Sequence, residues 1–189
     1  MERLAAFEHL LRHWNQTVNL VSPSSLAQLW PRHIQDSLQL LPRLPATGPF
    51  IDLGTGAGFP GLVLAIASQR PFHLVEADRR KAAFLREAAR CCAAPVEVHA
   101  ERVEALVLAP ARLITARAVA PLTRLLALSA PLLATDGICL FLKGATAASE
   151  LQTARTEWDM VVQQWPSQTA PDAVVMQISR LKHHADDRS

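Results

Sequence analysis

The residues best suited to chemistry form a glycine-rich segment, which reads Asp-Leu-Gly-Thr-Gly-Ala-Gly-Phe-Pro-Gly over residues 52–61. The apolar run Phe50–Leu53 leads into it and a helix-like apolar segment follows, so the glycines occupy a strand-to-helix turn. Glycines at such a turn allow a tight bend and let a ligand approach the main chain closely. The segment therefore predicts a small-molecule site, with a turn that merely connects two elements as the alternative.

The spacing of the glycines argues against a dinucleotide ligand. The dinucleotide pattern Gly-x-Gly-x-x-Gly expects its third glycine where Phe59 stands, one residue after Gly58. Asp52 also brings a negative charge to the turn, where it would repel a pyrophosphate. S-adenosylmethionine (SAM) has no phosphate and carries an ammonium and a sulfonium, so an acidic residue there suits it. We therefore predict that the turn, with Asp52, Gly54 and Gly56, binds SAM.

A second acidic residue, Glu76, ends the next predicted strand about twenty residues after the turn. In a fold of this kind, a carboxylate at that place accepts hydrogen bonds from ribose hydroxyls. Because SAM and dinucleotides both contain ribose, Glu76 supports a nucleoside ligand without choosing between them. A solvated residue at a strand end is the alternative interpretation of Glu76.

Hydrophobic periodicity divides the chain into a helical annex, residues 1–45, and an α/β core, residues 46–189, of one domain. In the annex it predicts a helix over 3–14, a short helix capped by Ser24 or Ser25, and a helix over 33–41. The predicted core strands cover residues 50–53, 72–75, 96–99, 113–115, 138–142, 160–163 and 174–178. The predicted core helices cover residues 62–68, 79–92, 102–108, 121–133 and 147–157.

Strands and helices alternate through most of the core, which predicts a mainly parallel sheet with helices on both faces. The last two strands have no long helix between them and are expected to form an antiparallel hairpin at the sheet edge. The fold class is therefore a Rossmann-like α/β fold with a seven-stranded, mostly parallel sheet and an N-terminal helical annex.

The composition indicates where the protein works more clearly than it indicates what the protein binds. The chain has 189 residues and a net charge of +2, which does not by itself indicate a nucleic-acid binder. No apolar run reaches the roughly 18 residues of a membrane span, and Cys91, Cys92 and Cys139 form neither a disulfide framework nor a zinc pattern. We expect a cytoplasmic protein without a metal site, since His9, His13 and His99 have no partners at ligand spacing. Monomer is the default expectation for its oligomeric state.

Several further segments make the sequence similar to a known family. The glycine turn ends Gly-Phe-Pro-Gly, Arg-His-Ile-Gln-Asp-Ser lies in the annex, and Arg-Ala-Val-Ala-Pro-Leu follows the fourth predicted strand. Together these segments resemble the RsmG (also called GidB) family of class I SAM-dependent methyltransferases. The resemblance implies methyl transfer from SAM to N7 of a guanine, guanine 527, in the 16S RNA of the small ribosomal subunit. It runs from about Trp14 to Gly144.

The resemblance also implies which residues contact the cofactor. Gly54 and Phe59 match positions that line SAM, and Glu76 matches the acidic position after the second strand. Val103 and Glu104 match the pair that holds the adenine end.

Arg117 matches an arginine just after the fourth strand, where cofactor and substrate meet. It is predicted to shape the SAM pocket or contact the guanine or a phosphate. The structural alternative pairs it with Asp52 or Glu104. No catalytic acid or base is expected, because guanine N7 carries an in-plane lone pair and attacks without losing a proton. Proximity and orientation supply the rate.

Three residues, Arg32, His33 and Lys143, are candidate RNA contacts. Alternatively, Arg32 pairs with Asp36 on one helix face and the cluster docks the annex onto the core. The sequence departs from the family pattern at two places. We expect a leading helix of longer relatives to be absent or shortened, and Pro171-Asp172-Ala173 stands where the family has a basic, histidine-containing segment, which argues against an RNA contact of the C-terminal hairpin.

Two other functions stay open on the sequence alone. A fold of this kind also hosts methyltransferases of small molecules and proteins, and methyl transfer to metabolites alone would favour that class. A non-enzymatic SAM-binding or assembly module is the third alternative. The intact glycines and Glu76 argue against a domain that has lost its ligand.

Overall fold

The computed structural model describes residues 1–185, so residues 186–189 of the predicted core lie outside the described part. The chain begins with helix α1, Glu2–Trp14, which confirms the helix predicted over 3–14. Its buried residues Leu4, Phe7 and Leu11 recur at helical spacing and face the core. Helix α1 therefore belongs to the main hydrophobic core rather than to a separate unit.

The rest of the annex is less regular than the sequence predicts. The cap of helix α2, Pro23–Ala27, is Ser22, which accepts a hydrogen bond from Ser25 N, so the prediction of Ser24 or Ser25 was wrong. A π-helical turn, Trp30–Gln35, runs directly into the short helix α3, Asp36–Leu38, where one helix over 33–41 was predicted. Because Pro31 lacks an N–H, the ordinary helical hydrogen-bond ladder is broken there.

Seven strands of the described residues form one sheet in the order β3-β2-β1-β4-β5-β7-β6. Strands β1 to β5 run parallel, and β7 lies antiparallel to both β5 and β6, which confirms the predicted edge hairpin. The strands are β1 Phe50–Leu53, β2 Phe72–Val75, β3 Val96–His99, β4 Ala111–Arg117, β5 Leu133–Lys143, β6 Trp158–Pro166 and β7 Val174–His183.

Helices cover both faces of the sheet and divide the core in two. The annex packs on one face with α4, Gly61–Ser68, and α5, Arg79–Cys91. The other face carries α6, Leu122–Ser129, and α7, Ala147–Ala154. Strand residues alternate between the two cores as the pleat requires: Phe50 lies in the first and Ile51 in the second.

Two core predictions were wrong in detail. The fifth strand was predicted over 138–142, but β5 begins at Leu133, so Asp136-Gly137 lies within the strand at a register shift against β4. Gly137 permits this because a Cβ there would come within 2.6 Å of the Ala111 carbonyl oxygen. The helix predicted over 102–108 is a single 3-10 turn, Val103–Ala105, after which Leu106 turns into the core.

The length and polarity of the helices decide whether any of them could span a membrane. Across residues 1–185, every helix is too short or too polar to traverse a bilayer.

Candidate active site

The carboxyl ends of the parallel strands bring the predicted site residues to one edge of the sheet. The glycine turn follows β1, and Leu53 at the end of β1 pairs with Ala116 of β4. Arg117 therefore lies beside the turn, and Glu76, directly after β2, lies on its other side. Ligands of open α/β sheets bind outside this edge, where the strand order reverses.

Asp52 supports the turn from beneath instead of facing its open side. Its side chain is fully buried, with Oδ2 accepting from Gly61 N at 3.0 Å and Oδ1 accepting from the Thr115 hydroxyl at 2.6 Å. Burial raises the pKa of Asp52 to about 6. Both oxygens are engaged inside the protein, so Asp52 anchors the turn, and its part in binding SAM stays a prediction.

Gly61 allows this arrangement. A Cβ at Gly61 would come within 2.4 Å of the Asp52 Cβ, so a larger residue would push the start of α4 away from β1. The aspartate and glycine thus fix where the helix begins, and the glycine turn lies between two anchored ends.

The open side of the turn is formed by Gly54 and Gly56, which have φ of +59° and +58°. A Cβ at Gly54 would meet Val119 Cγ2 at 2.8 Å, so the segment after β4 lies over this glycine. A Cβ at Gly56 would meet only the Gly54 carbonyl oxygen within 4 Å, at 3.9 Å. The turn therefore presents free space at Gly56, where a ligand fits against the main chain.

Glu76 holds this side of the turn in place. Its Oε2 accepts from Gly56 N at 2.9 Å, and its Oε1 accepts from Asp78 N at 2.8 Å. The side chain is half-buried, and each carboxylate oxygen has a further lone pair. Glu76 can therefore brace the turn and still accept a ribose hydroxyl.

Phe59 links the turn to the annex. Its ring is 4 % exposed, stacks on His33 with centroids 4.9 Å apart, and meets Phe7 edge-on at 5.7 Å. The Arg117 guanidinium lies 4.9 Å from the same ring centroid. Phe59 thus packs chiefly against protein, so its predicted role of lining the cofactor reduces to shaping the wall from behind.

Arg117 is the centre of the contact between annex and sheet. It donates to the Arg32 carbonyl oxygen at 3.1 Å, to Asp36 Oδ2 at 3.2 Å and to His33 Nδ1 at 2.6 Å. The predicted structural partners Asp52 and Glu104 were wrong, since Asp36 is its ion-pair partner.

The same contacts correct the pairing predicted within the annex. Asp36 pairs with Arg117 and not with Arg32, because the side chain turns toward the sheet edge. Burial, and then the charges of Arg117 and Arg32, lower the pKa of His33 to about 4. The ring is therefore neutral at pH 7 and accepts a hydrogen bond through Nδ1, which supports docking of the annex rather than an electrostatic RNA contact at His33.

Sequence reasoning missed the third member of this network, the connection between β6 and β7. Thr169 donates to Asp36 Oδ1 at 2.6 Å, and Gln168 N donates to Gln39 Oε1 at 3.0 Å. These partners lie about 130 residues apart in the chain, so no local pattern signals them. Pro171-Asp172-Ala173, the departure from the family pattern, belongs to this connection.

A cleft of ≈ 520 Å³ opens beside the glycine turn, between the annex, the segment after β4 and the β6–β7 connection. This volume suits a small organic group. Its lining includes Arg32, His33, Asp36, Arg117, Ala120, Lys143, Gly144, Thr169 and Ala173.

Lys143 lies in the wall of this cleft, and its charge is paired with that of Glu150. It is 8 % exposed, its Nζ lies 2.6 Å from Glu150 Oε2, and it donates to the Ala120 carbonyl oxygen at 3.2 Å. Lys143 thus holds the segment after β4, and its candidate contact with RNA stays a prediction. Arg32, by contrast, has an exposed side chain at the cleft.

Val103 and Glu104 form the 3-10 turn after β3, at the same sheet edge. Val103 is half-buried, whereas Glu104 is exposed and forms an ion pair with Arg124. This placement fits a wall for the outer end of a nucleoside, and the adenine contact stays a prediction.

The strand order and the glycine turn after β1 define a Rossmann-like methyltransferase fold. A solved structure of this class, the ribosomal protein L11 methylase from Lactobacillus delbrueckii subsp. bulgaricus, superposes with a TM-score of 0.62 and 19 % identity. The match covers 79 % of this chain and 78 % of that one, which confirms the predicted fold class.

Sequence comparison assigns the family. Residues 1–174 match the family model described as GidB, rRNA small subunit methyltransferase G. Ribosomal RNA small subunit methyltransferase G of Gluconobacter oxydans (strain 621H) is 53 % identical over 181 residues, 96 % of this chain and 94 % of that protein. The Granulibacter bethesdensis protein of the same name is 55 % identical, over 95 % of this chain and 85 % of its own length. The chain belongs to the GidB family.

Proposed function

We propose that this protein transfers a methyl group from SAM to N7 of a guanine in the 16S RNA of the small ribosomal subunit, at guanine 527. One observation carries the proposal: a cleft of ≈ 520 Å³ adjoins the open glycine turn, with Arg117 at their junction. A base extruded from folded RNA fits such a cleft, and ribosomal RNA loops offer bases in that form.

The reaction needs positioning rather than proton transfer. SAM, when bound, supplies an electrophilic methyl group. The N7 lone pair forms the new bond to that carbon while the bond from carbon to sulfur breaks, leaving a cationic purine and the neutral thioether. The protein holds the purine in line through the walls of the cleft, and Arg117 and Arg32 orient the base or a neighbouring phosphate.

The residues around the turn fit the cofactor. Gly54 offers main chain, and Gly56 offers main chain and free space, to the methionine and ribose portions, and Glu76 accepts from the ribose hydroxyls. Val103 and Glu104 border the adenine. Asp52, Phe59 and Lys143 act indirectly, by holding helix α4, the annex and the segment after β4.

The oligomeric state, cellular location and partner that we propose follow from the substrate. We propose a single domain over residues 1–189 that works as a monomer in the cytoplasm, where ribosomal subunits assemble. The small subunit or a late precursor is the proposed partner, because one basic cleft on a chain of net charge +2 provides little affinity for free RNA.

The test is methyl transfer from labelled SAM to small subunits from a strain that lacks this gene. Protein-free 16S RNA from the same strain serves as the second substrate. The labelled base is then mapped by reduction and aniline cleavage, which breaks RNA at N7-methylguanine. Label at one guanine N7 is expected with subunits, whereas label on protein or at another base atom would overturn the proposal. The variant Gly56→Asp controls for contaminating enzymes.

A further inference from the structure

Three side chains that favour metals converge on the sheet away from the cleft. They are His73 of β2 and Glu97 and His99 of β3, and one ligand atom from each lies within 4.8 Å of the others. Their spacing along the chain gives no metal pattern, so none was predicted. The parallel register supplies the contact, because His73 pairs with Glu97 and Val75 pairs with His99.

We propose that His73 Nδ1, His99 Nε2 and one Glu97 carboxylate oxygen bind a divalent transition-metal ion, with Zn²⁺ as the ion of choice. The two ring nitrogens face each other at 3.0 Å. Glu97 Oε2 lies 3.6 Å from His73 Nδ1, and the other carboxylate oxygen, Oε1, lies 3.9 Å from His99 Nε2. Tetrahedral zinc with bonds of about 2.0–2.1 Å requires ligand atoms about 3.3 Å apart, so these separations bracket the required value.

Small movements suffice to close the site. The Glu97 side chain is 69 % exposed and can rotate toward the nitrogens, whereas the two imidazoles lie on paired strands that fix their positions. Water fills the fourth position, as in zinc sites with two histidines and one glutamate.

A second carboxylate adds negative charge beside the cluster. The other ring nitrogen of His99, Nδ1, lies 3.9 Å from Glu101 Oε1. A carboxylate on that side of a ligating histidine orients the ring, and its negative charge favours a bound cation.

Metal binding here would tie the edge strand β3 to β2. Strand β3 has β2 as its neighbour in the sheet, so a bound ion adds a second connection to the hydrogen-bond ladder. An ion that binds the folded chain and not the unfolded chain raises the melting temperature. A stabilising role for the bound ion follows.

The experiment uses the full chain, free of any affinity tag, titrated with Zn²⁺ by calorimetry and with Co²⁺ by visible absorption. Wild type is expected to bind one ion per chain, with tetrahedral Co²⁺ bands and a rise in melting temperature. Glu97→Gln and His73→Gln are expected to weaken Zn²⁺ affinity at least tenfold. The exposed position of Glu97 makes its variant safe for folding.

Two histidine variants away from the cluster are the matched controls. His13→Gln removes an exposed imidazole of α1, and His184→Gln removes one directly after β7, whose Nε2 lies 3.4 Å from Asp159 Oδ1. Both should bind Zn²⁺ as wild type does. Unchanged affinity in Glu97→Gln and His73→Gln, or loss of the ion in His184→Gln, would overturn the assignment.

Discussion

Gly56 is the residue whose replacement separates cofactor binding from folding. With φ of +58° and free space at its Cβ position, it accommodates a side chain sterically but not conformationally. Gly56→Asp is expected to abolish SAM binding, because a charged side chain would occupy the space that the ligand needs. Gly56→Ala shares the backbone strain of about 1 kcal/mol yet fills less space, and should keep weakened binding. Calorimetry with SAM checks this. Full SAM affinity in Gly56→Asp would mean that the cofactor does not bind at the glycine turn.

Asp52 gives the protein a pH-dependent stability with a defined sign. Its pKa is raised from 3.8 to about 6 in the folded state, so the folded chain holds the proton more tightly than the unfolded chain does. The resulting stabilisation is complete below about pH 4 and is lost as pH rises through about 6. Asp52→Asn removes this dependence. The free energy of unfolding of wild type relative to the variant should fall by about 2 kcal/mol from pH 4 to pH 7.

Urea unfolding at several pH values measures this difference. Subtracting the free energy of unfolding of Asp52→Asn also cancels the contribution of His33, whose pH dependence has the opposite sign. The pKa of His33 is lowered to about 4, so its contribution is present above about pH 6.5 and is lost as pH falls. A parallel pH dependence in wild type and Asp52→Asn would show that the Asp52 carboxyl stays ionised.

Arg32 and Lys143 should differ in how they affect RNA binding. Arg32 is exposed at the cleft, whereas the charge of Lys143 is matched by Glu150 at 2.6 Å. Arg32→Ala is therefore expected to reduce the slope of log affinity against log salt by about 1, as loss of one phosphate contact does. Lys143→Met should leave the slope unchanged and lower the melting temperature. Filter binding to small subunits at several salt concentrations decides this, and equal slopes in both variants would refute it.

At the scale of elements, the polar contacts between annex and sheet meet at Arg117 and Asp36. Their side chains are 16 % and 13 % exposed, and Thr169 and His33 complete the contact. Arg117→Met and Asp36→Asn, alone and together, should give a coupling energy of about 1–3 kcal/mol in unfolding experiments. Additive effects would mean that the ion pair contributes nothing to docking. Methyl transfer should fall in the double variant too, because Arg117 also lines the cleft.

The elements that the sequence predicts well are short apolar runs and one helix with regular apolar spacing. Strands β1, β2 and β3 and helix α1 match their predicted ranges within a residue, because their apolar residues mark them directly. Asp136-Gly137 has the residue types of a turn, yet it lies within β5 because the residues on either side of it pair with β4. Likewise the glycine turn and Glu76 are visible in the sequence, whereas the contact of Asp36 with Arg117 and Thr169 depends on tertiary packing.

At the scale of the whole molecule, the annex and the sheet share one core. Leu4, Phe7, Leu29 and Ile34 of the annex are buried in the same cluster as Phe84 of α5. The full chain should therefore unfold in one cooperative transition, with equal calorimetric and van't Hoff enthalpies. A chain that lacks residues 1–45 would expose this apolar face and bind a hydrophobic dye instead of melting cooperatively. Two separate transitions in the full chain, or a sharp one in the truncated chain, would make the annex an independent unit.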